Sequence, residues 1–348
     1  MAAIVPAGLY SLIVVSFDRY EREPWRVLLG AFGWGAVMAV FFSLIFGTIL
    51  QVLLGVTLGE GLAEFVSAGI GAPLIEESFK GIALIGLLLM FRDEFDNVLD
   101  GLVYGALIGL GFAMTENVLY LGGAYLQGGT GGLGELFVAR IIFGGFGHAL
   151  YTGTTGAALG WVRERVNRGP SRFFIPFAGW GLAVFQHFLW NTGTLVVGAV
   201  IATLRGDMNL SIIPVVILSA LIFTGPGLIV LVVVALIASR RESRVIREQL
   251  AGEVATGVLT PQEYETLAHA RSRRQALGEA YRRGGLRAWL TQQRFFQAAA
   301  ELAFRKHRLS RGERLPSAGL RTSDDEYRAQ LAALRVEGLK VAGRRSLG

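Results

Sequence analysis

The sequence predicts an all-α, polytopic membrane protein with about seven transmembrane helices in a compact bundle, followed by a helical cytoplasmic C-terminal tail. Three observations predict it. Of 348 residues, 52% are hydrophobic and only 17% are charged, with a mean hydropathy of +0.49, whereas a soluble domain carries about 25% charged residues. The apolar residues gather into runs long enough to cross about 30 Å of hydrocarbon, which takes roughly 20 helical residues. Charge is also divided along the chain. Positions 1–239 hold 11 Lys and Arg against 15 Asp and Glu, a net of −4, and positions 240–348 hold 22 against 12, a net of +10. This gives two predicted domains, a transmembrane domain at 1–239 and a basic helical tail at 240–348. The balance argues against a cytosolic globular enzyme, and the absence of cysteine removes disulfides, thiolate metal sites and a cysteine nucleophile together.

The predicted spans are 2–17, 27–55, 62–90, 98–122, 136–162, 173–204 and 211–239. The first is short and contains Pro6, but Asp18, Arg19, Glu21, Arg22 and Glu23 stand where a signal peptide would have its small-residue cleavage site, so it reads as an uncleaved span. One set of alternating loops holds Arg19, Arg22 and Arg26, then Arg92, then Arg163, Arg165, Arg168 and Arg172, then the basic tail. The opposite set holds Arg205, with Arg140 just inside a span. Basic residues resist translocation, which predicts an outside N-terminus and a cytoplasmic tail. Gly101, Gly105 and Gly109 recur every four residues, as do Gly156 and Gly160, and such rows let helix backbones approach closely in lipid. In the tail, Thr260, Pro261 and Glu263 fit an N-cap, a first-turn proline and a capping-box acid. Gly284-Gly285 then punctuates a helical pattern that resumes through Phe304, and Ser323 with Glu326 opens a short last helix. The tail's surplus of arginine suits anionic lipid headgroups.

Ionisable side chains inside spans cost several kcal/mol and are functional candidates. The third span carries Glu76, Glu77 and Lys80 in PLIEESFKG. Glu76 and Lys80 share a helix face and can pair, Glu77 points about 100° away, and Pro73 just before them is expected to kink the helix and open room for water. The fourth span carries Glu116 and Asn117, the fifth His148 with Thr152 and Thr155 on the following turns, and the sixth His187 with Asn191 four residues on. Counting depth along each span puts Glu76, Glu77, His148 and His187 near the midplane and Glu116 nearer the outside. Two imidazoles and three carboxylates suffice for a divalent metal such as zinc, held by His148, His187 and Glu116. They suffice equally for a metal-free site in which a glutamate activates water and His187 and Asn191 stabilise an oxyanion. Either Glu76 or Glu77 can be the base. No HExxH, GxSG-type or GxGD-type motif lies on these spans.

These groups, in this order, resemble the PrsW family of bacterial intramembrane proteases. Glu76 to Lys80 (EESFK) match the family's EExxK motif and Phe112 to Asn117 (FAMTEN) its FxxxEN motif. His148 matches its lone span histidine, and His187 to Asn191 (HFLWN) its HxxxN motif. Asp18 to Trp25 also look like the family's first cytoplasmic loop, so the resemblance covers about residues 10–200. It implies a multi-pass protease of the bacterial cell membrane that cleaves single-pass membrane-anchored proteins, anti-sigma factors among them. It also implies that Glu76 is the general base and that His187 with Asn191 stabilises the oxyanion. Glu116 occupies a position that is histidine in the related CAAX prenyl-processing proteases. Two other classes fit a polar membrane interior, a proton-coupled transporter and a non-catalytic scaffold or immunity-type protein. The transporter reading lacks a second EExxK-like half of the kind inverted repeats produce. No feature suggests nucleic-acid binding, and the sequence is silent on oligomeric state.

Overall fold

The structure is a computed structural model that describes residues 1–165, 169–206, 211–313 and 323–343; Arg168, one of the loop arginines above, lies outside the described residues. Among the described residues every regular element is a helix. The chain divides into two compact units, one of Met1–Phe17 with Glu23–Leu236 and one of Asp18–Arg22 with Ile237–Gly348.

The first unit runs α1 (Ile4–Val15), α2 (Trp25–Gly33), α3 (Val40–Leu58), α4 (Glu60–Val66), α5 (Ala72–Met90), α6 (Val98–Phe137), α7 (Gly147–Arg163), α8 (Ser171–Arg205), α9 (Ile212–Ser219) and the start of α10 (Gly225–Ala255). Four helical stretches are long and apolar enough to cross a membrane: Trp25–Leu58, Val98–Arg163, Ser171–Arg205 and Ile212–Ala255. The stretch from Glu60 to Met90 falls outside that set because Glu76, Glu77 and Lys80 interrupt its apolar run, and α1 is shorter. Outward-facing Phe41, Leu44, Ile49, Phe174, Phe177, Ile229 and Val230 are exposed, as lipid-facing positions of a span should be.

Four short π-helical turns, Trp34–Ala39, Ser67–Gly71, Val138–Phe143 and Ala220–Thr224, join pairs of these helices. The kink expected at Pro73 is absorbed by the second of them. Pro73 sits in the first turn of α5 directly after the π-helical turn, where its missing N–H is accommodated without breaking the helix. The fourth and fifth spans differ from the sequence reading in a related way. α6 continues past residue 122 to Gly129, whose φ of 59° and ψ of −147° interrupt it. Arg140 then meets Asn117 and Glu116, partners about equally far from Gly129 on either side, so the chain reverses there. The returning limb is itself broken at Gly144–Phe146 before α7 begins.

α6 is the central helix: its residues from Leu99 to Ala113 are buried without exception. Its entry is fixed by a capping box, in which the Asn97 side chain accepts from Leu99 and Asp100 while Asp100 returns a bond to the Asn97 amide. α6 and α7 pack backbone to backbone, with Gly101 against Gly156, Gly105 against Thr152, Gly109 against His148 and Gly160 against Asn97. The glycine rows read from the sequence therefore line one seam, as close helix approach in lipid requires.

The second unit holds the rest of α10, then α11 (Pro261–Ala268), α12 (Ala270–Ser310) and α13 (Asp324–Gly343). Thr260 caps α11 in a full capping box with Glu263, and the Glu326 amide donates to Ser323 at the start of α13. α12 is interrupted at Gly285, as the Gly-Gly pair predicts. Its core gathers Ile246, Leu250, Leu267, Phe295, Phe296, Leu302 and Leu331 around Tyr20. The buried Arg273 guanidinium lies over the Tyr20 and Phe296 rings and donates to the Tyr20 carbonyl; burial lowers its pKa to about 10.

Candidate active site

α5, α6, α7 and α8 bring the polar side chains of the first unit together. Lys80, fully buried on α5, stands at the centre. Its ammonium donates to Glu77 Oε1 at 2.8 Å and Glu76 Oε2 at 3.3 Å, lies 2.9 Å from His148 Nδ1, and sits 3.8 Å from the centre of the Phe112 ring. The sequence reading paired Lys80 with Glu76. Its shorter contact is with Glu77, one turn away at i−3.

The two adjacent carboxylates differ in how fully they are engaged. Glu77 is 1% exposed and has each oxygen occupied: Oε1 by Lys80 and by His187 Nδ1 at 3.2 Å, Oε2 by the Thr152 hydroxyl at 2.9 Å. Glu76 has its long bond from Lys80 and, 4.0 Å from the same oxygen, His187 Nε2. A gap of that size between two acceptors is what one bridging water fills. Because an ammonium can only donate, His148 Nδ1 must accept from it, which leaves Nε2–H to donate to Glu116 Oε2 at 3.0 Å. Tyr151 stacks on the His187 ring at 4.8 Å and the two imidazoles meet edge to face at 5.0 Å.

Glu116 lies behind His148. Arg140, on the π-helical turn Val138–Phe143, donates through Nη2 to Glu116 at 2.5 Å and through Nε to the Asn117 side-chain Oδ1 at 2.7 Å, with its guanidinium 4.0 Å from the Tyr120 ring centre. Sequence reasoning noted Arg140 only as a charge near a span end. Its spacing from Glu116 carries meaning only once the reversal at Gly129 is known. Asn191, one turn beyond His187 on α8, donates its amide to the Ala68 carbonyl in the π-helical turn Ser67–Gly71, at 2.9 Å.

Glu76 and Glu116 form part of the wall of a cavity of about 510 Å³ that runs along α3 (Val40, Ser43, Leu44) and α6 (Leu119, Tyr120, Gln127). The Ser43 hydroxyl on that wall has no hydrogen-bond partner among the described residues. Ligand atoms of Glu76, Glu77, His148 and His187 lie within 4.8 Å of one another, and two imidazoles with two carboxylates are a donor set that suits zinc. The Lys80 ammonium is within bonding distance of three of these four residues and already supplies them with a positive charge. Glu116, expected from the sequence as a third ligand, is outside this group and is held by Arg140.

Polar acid/base residues clustered among membrane-spanning helices, with a cavity leading to them, define a membrane-embedded protein whose chemistry lies inside the helical bundle. The chain belongs to the PrsW family intramembrane metalloproteases, whose defining pattern matches residues 23–224. It is 31% identical over 176 residues to Protease PrsW of Geobacillus kaustophilus, covering 50% of this chain and 69% of that protein. To Protease PrsW of Bacillus subtilis it is 36% identical over 128 residues, 35% of this chain and 55% of that one. To that of Clostridioides difficile it is 34% identical over 122 residues, 35% and 49%. The chain thus spans about half the length of two of these relatives. No solved structure gives a significant match.

Proposed function

We propose that this chain is an intramembrane protease that hydrolyses peptide bonds of single-pass membrane-anchored substrates, anti-sigma-factor-like proteins among them, in a bacterial cell membrane. The observation that carries the reading is the inequality of the paired carboxylates: Glu77 is fully hydrogen-bonded, while Glu76 faces the cavity with one long bond. Glu76 is then the base. Water held between Glu76 Oε2 and His187 Nε2 gives its proton to Glu76 as it attacks the scissile carbonyl, and Glu76 passes that proton to the leaving amine. Lys80 and Thr152 keep Glu77 charged and fixed, and Glu77 in turn fixes the His187 ring. Asn191 opposes the oxyanion from α8, exchanging its bond to Ala68 for the substrate, while His187 holds the attacking water. Glu116 and Arg140 orient His148 from behind. A zinc ion held by His148, His187 and Glu77 would have to displace the Lys80 ammonium from His148 and Glu77, and would supply a Lewis acid and lower the pKa of a bound water.

Seven spans with the N-terminus outside and the 240–348 tail in the cytoplasm remain the topology that best suits the loop arginines. In that orientation α6 runs outward, so the cavity from Glu76 to Gln127 leads to the outer side and substrates are cut toward it. The test is cleavage of single-pass substrates by detergent-purified protein, with metal content measured on the same preparations. Loss of cleavage in Glu76→Gln with the helical fold intact supports the assignment, and cleavage surviving in Glu76→Gln sinks it. About one zinc per chain, lost together with activity in the His148→Ala and His187→Ala variants, supports the metal-dependent form; activity that survives chelation supports the metal-free form.

A further inference from the structure

We infer that the turn of the α12 helical hairpin, residues 281–290, is a docking surface for an anionic lipid bilayer. The backbone break at Gly285 has a φ of 64° and ψ of −155°, nearly the same pair as Gly129, where α6 demonstrably reverses. Leu277 and Phe295, on either side of Gly285, join one core cluster, so α12 reverses there too and residues 281–287 form a tip. What the tip displays runs against ordinary surface composition. Tyr281 is 57% exposed, Leu286 62% and Leu290 38%, with Trp289 half-buried beside them. Arg282, Arg283 and Arg287 are exposed among these residues. Arg283 pairs with Glu279, while Arg282 and Arg287 have no ion pair among the described residues.

Aliphatic and aromatic side chains at a convex tip, surrounded by unpaired arginines, are the composition of segments that lie at a membrane interface. The rings and leucines enter the headgroup boundary and the guanidinium groups meet lipid phosphates. A protein partner would call for a concave or flat apolar face, whereas a tip of this kind fits a deformable one. The tip also lies some forty residues after the end of the last apolar run at Ser239, on the same molecule as the spans. The inference does not depend on the protease reading, and its readout is not cleavage.

The chain has no cysteine, so Leu286→Cys gives a single attachment point for an environment-sensitive fluorophore in the full-length protein. Labelled protein is placed in nanodiscs of phosphatidylcholine alone or of an equimolar mixture with phosphatidylglycerol, each with and without spin-labelled lipid as quencher. A Ser310→Cys label at the exposed far end of α12 serves as control. The expected result is quenching at position 286 but not at 310, stronger with phosphatidylglycerol and weakened by salt. In the Arg282→Gln, Arg287→Gln background the docked-to-undocked ratio should fall about twenty-five-fold, since each arginine near an anionic surface is worth about five-fold. Absence of quenching at 286 in both lipids overturns the inference. So does a shielded, unquenched label that stays shielded in detergent, which would show a protein partner or a second copy covering the tip. Equal quenching in both lipids without salt dependence overturns the role of the arginines.

Discussion

The seam between α6 and α7 sets the spacing of the groups proposed as catalytic, and Gly109→Ala tests this directly. A β-carbon at position 109 would lie 2.5 Å from the His148 carbonyl carbon and 2.9 Å from the Ala149 nitrogen, where carbon atoms in contact keep about 3.5 Å. The partner is backbone, which cannot rotate away, so the two helices must separate locally by about 1 Å. His148 rides on α7. Its bond to Glu116 at 3.0 Å crosses that same gap, and about 1 Å more takes it out of hydrogen-bonding range. A misplacement of about 1 Å at a reacting constellation costs roughly 100-fold in rate, and overpacking costs about 1–3 kcal/mol in stability. Gly122→Ala is the control, because a β-carbon there meets open space. The assay is turnover of a single-pass substrate by both variants and the parent in detergent, with thermal melting recorded in parallel. If Gly109→Ala melts as a folded protein yet turns over within a few-fold of the parent, the spacing of α6 and α7 does not position His148 and the reasoning fails.

Other perturbations are expected to act through other contacts. Arg140→Met leaves Glu116 without its cation and frees His148, and should lower kcat about 10–100-fold, the usual cost of losing an orienting partner behind a catalytic imidazole. Arg140→Lys should rescue poorly, since one ammonium cannot hold Glu116 and Asn117 as the forked guanidinium does; full activity in Arg140→Lys would refute the two-handed role. Asn97→Ala removes the cap of α6 and should cost about 1 kcal/mol of stability, read as a lowered Tm with cleavage at moderate temperature unchanged. In the tail, burial pushes the Glu263 carboxyl up, but hydrogen bonds from Arg335 and the Thr260 backbone outweigh it and hold its pKa below the ordinary value. A depressed carboxylate stabilises above its unfolded pKa of about 4.3 and loses that contribution as pH falls through the lower folded value. Glu263→Gln should therefore melt lower than the parent at neutral pH, and the gap should close on acidification below pH 4; a gap that persists in acid would show that charge is not what the pair contributes.

Much of this was legible in the sequence because the membrane makes polar residues conspicuous. Glu76, Glu77, Lys80, Glu116, His148 and His187 stand out against apolar runs, and the structure gathers all six between α5, α6, α7 and α8. The capping box at Thr260 and the break at Gly285 were readable because both obey local rules that tertiary packing does not override. What was hidden depends on how the chain closes. Arg140 looked like a stray charge at a span end, since no local pattern says that α6 reverses at Gly129 and carries residue 140 back to residue 116. Tyr20 looked like part of a loop, yet it lies in the core of the tail unit, a pairing that a sequence separation of some 250 residues conceals.

The same dependence on closure underlies the choice between two adjacent glutamates as base in the proposed mechanism. By residue chemistry alone Glu76 and Glu77 are equivalent candidates, although the family resemblance points to Glu76, and pairing of Lys80 with the carboxylate four residues away would engage Glu76 and leave Glu77 to find another partner. In the structure Glu77 is the carboxylate with more partners. Thr152 from α7 and His187 from α8 converge on Glu77, and Lys80 follows them to the shorter bond. In the proposed mechanism the carboxylate that gains partners from other helices is the fixed one, and its neighbour, which faces the cavity, is the base. A Thr152→Val variant examines this directly: it removes one bond to Glu77 without touching Glu76. If Glu76 is the base, turnover should drop only several-fold through a loosened Glu77 and His187, with the dependence on Glu76 intact. A loss as complete as that of Glu76→Gln would instead make Glu77 the reacting carboxylate.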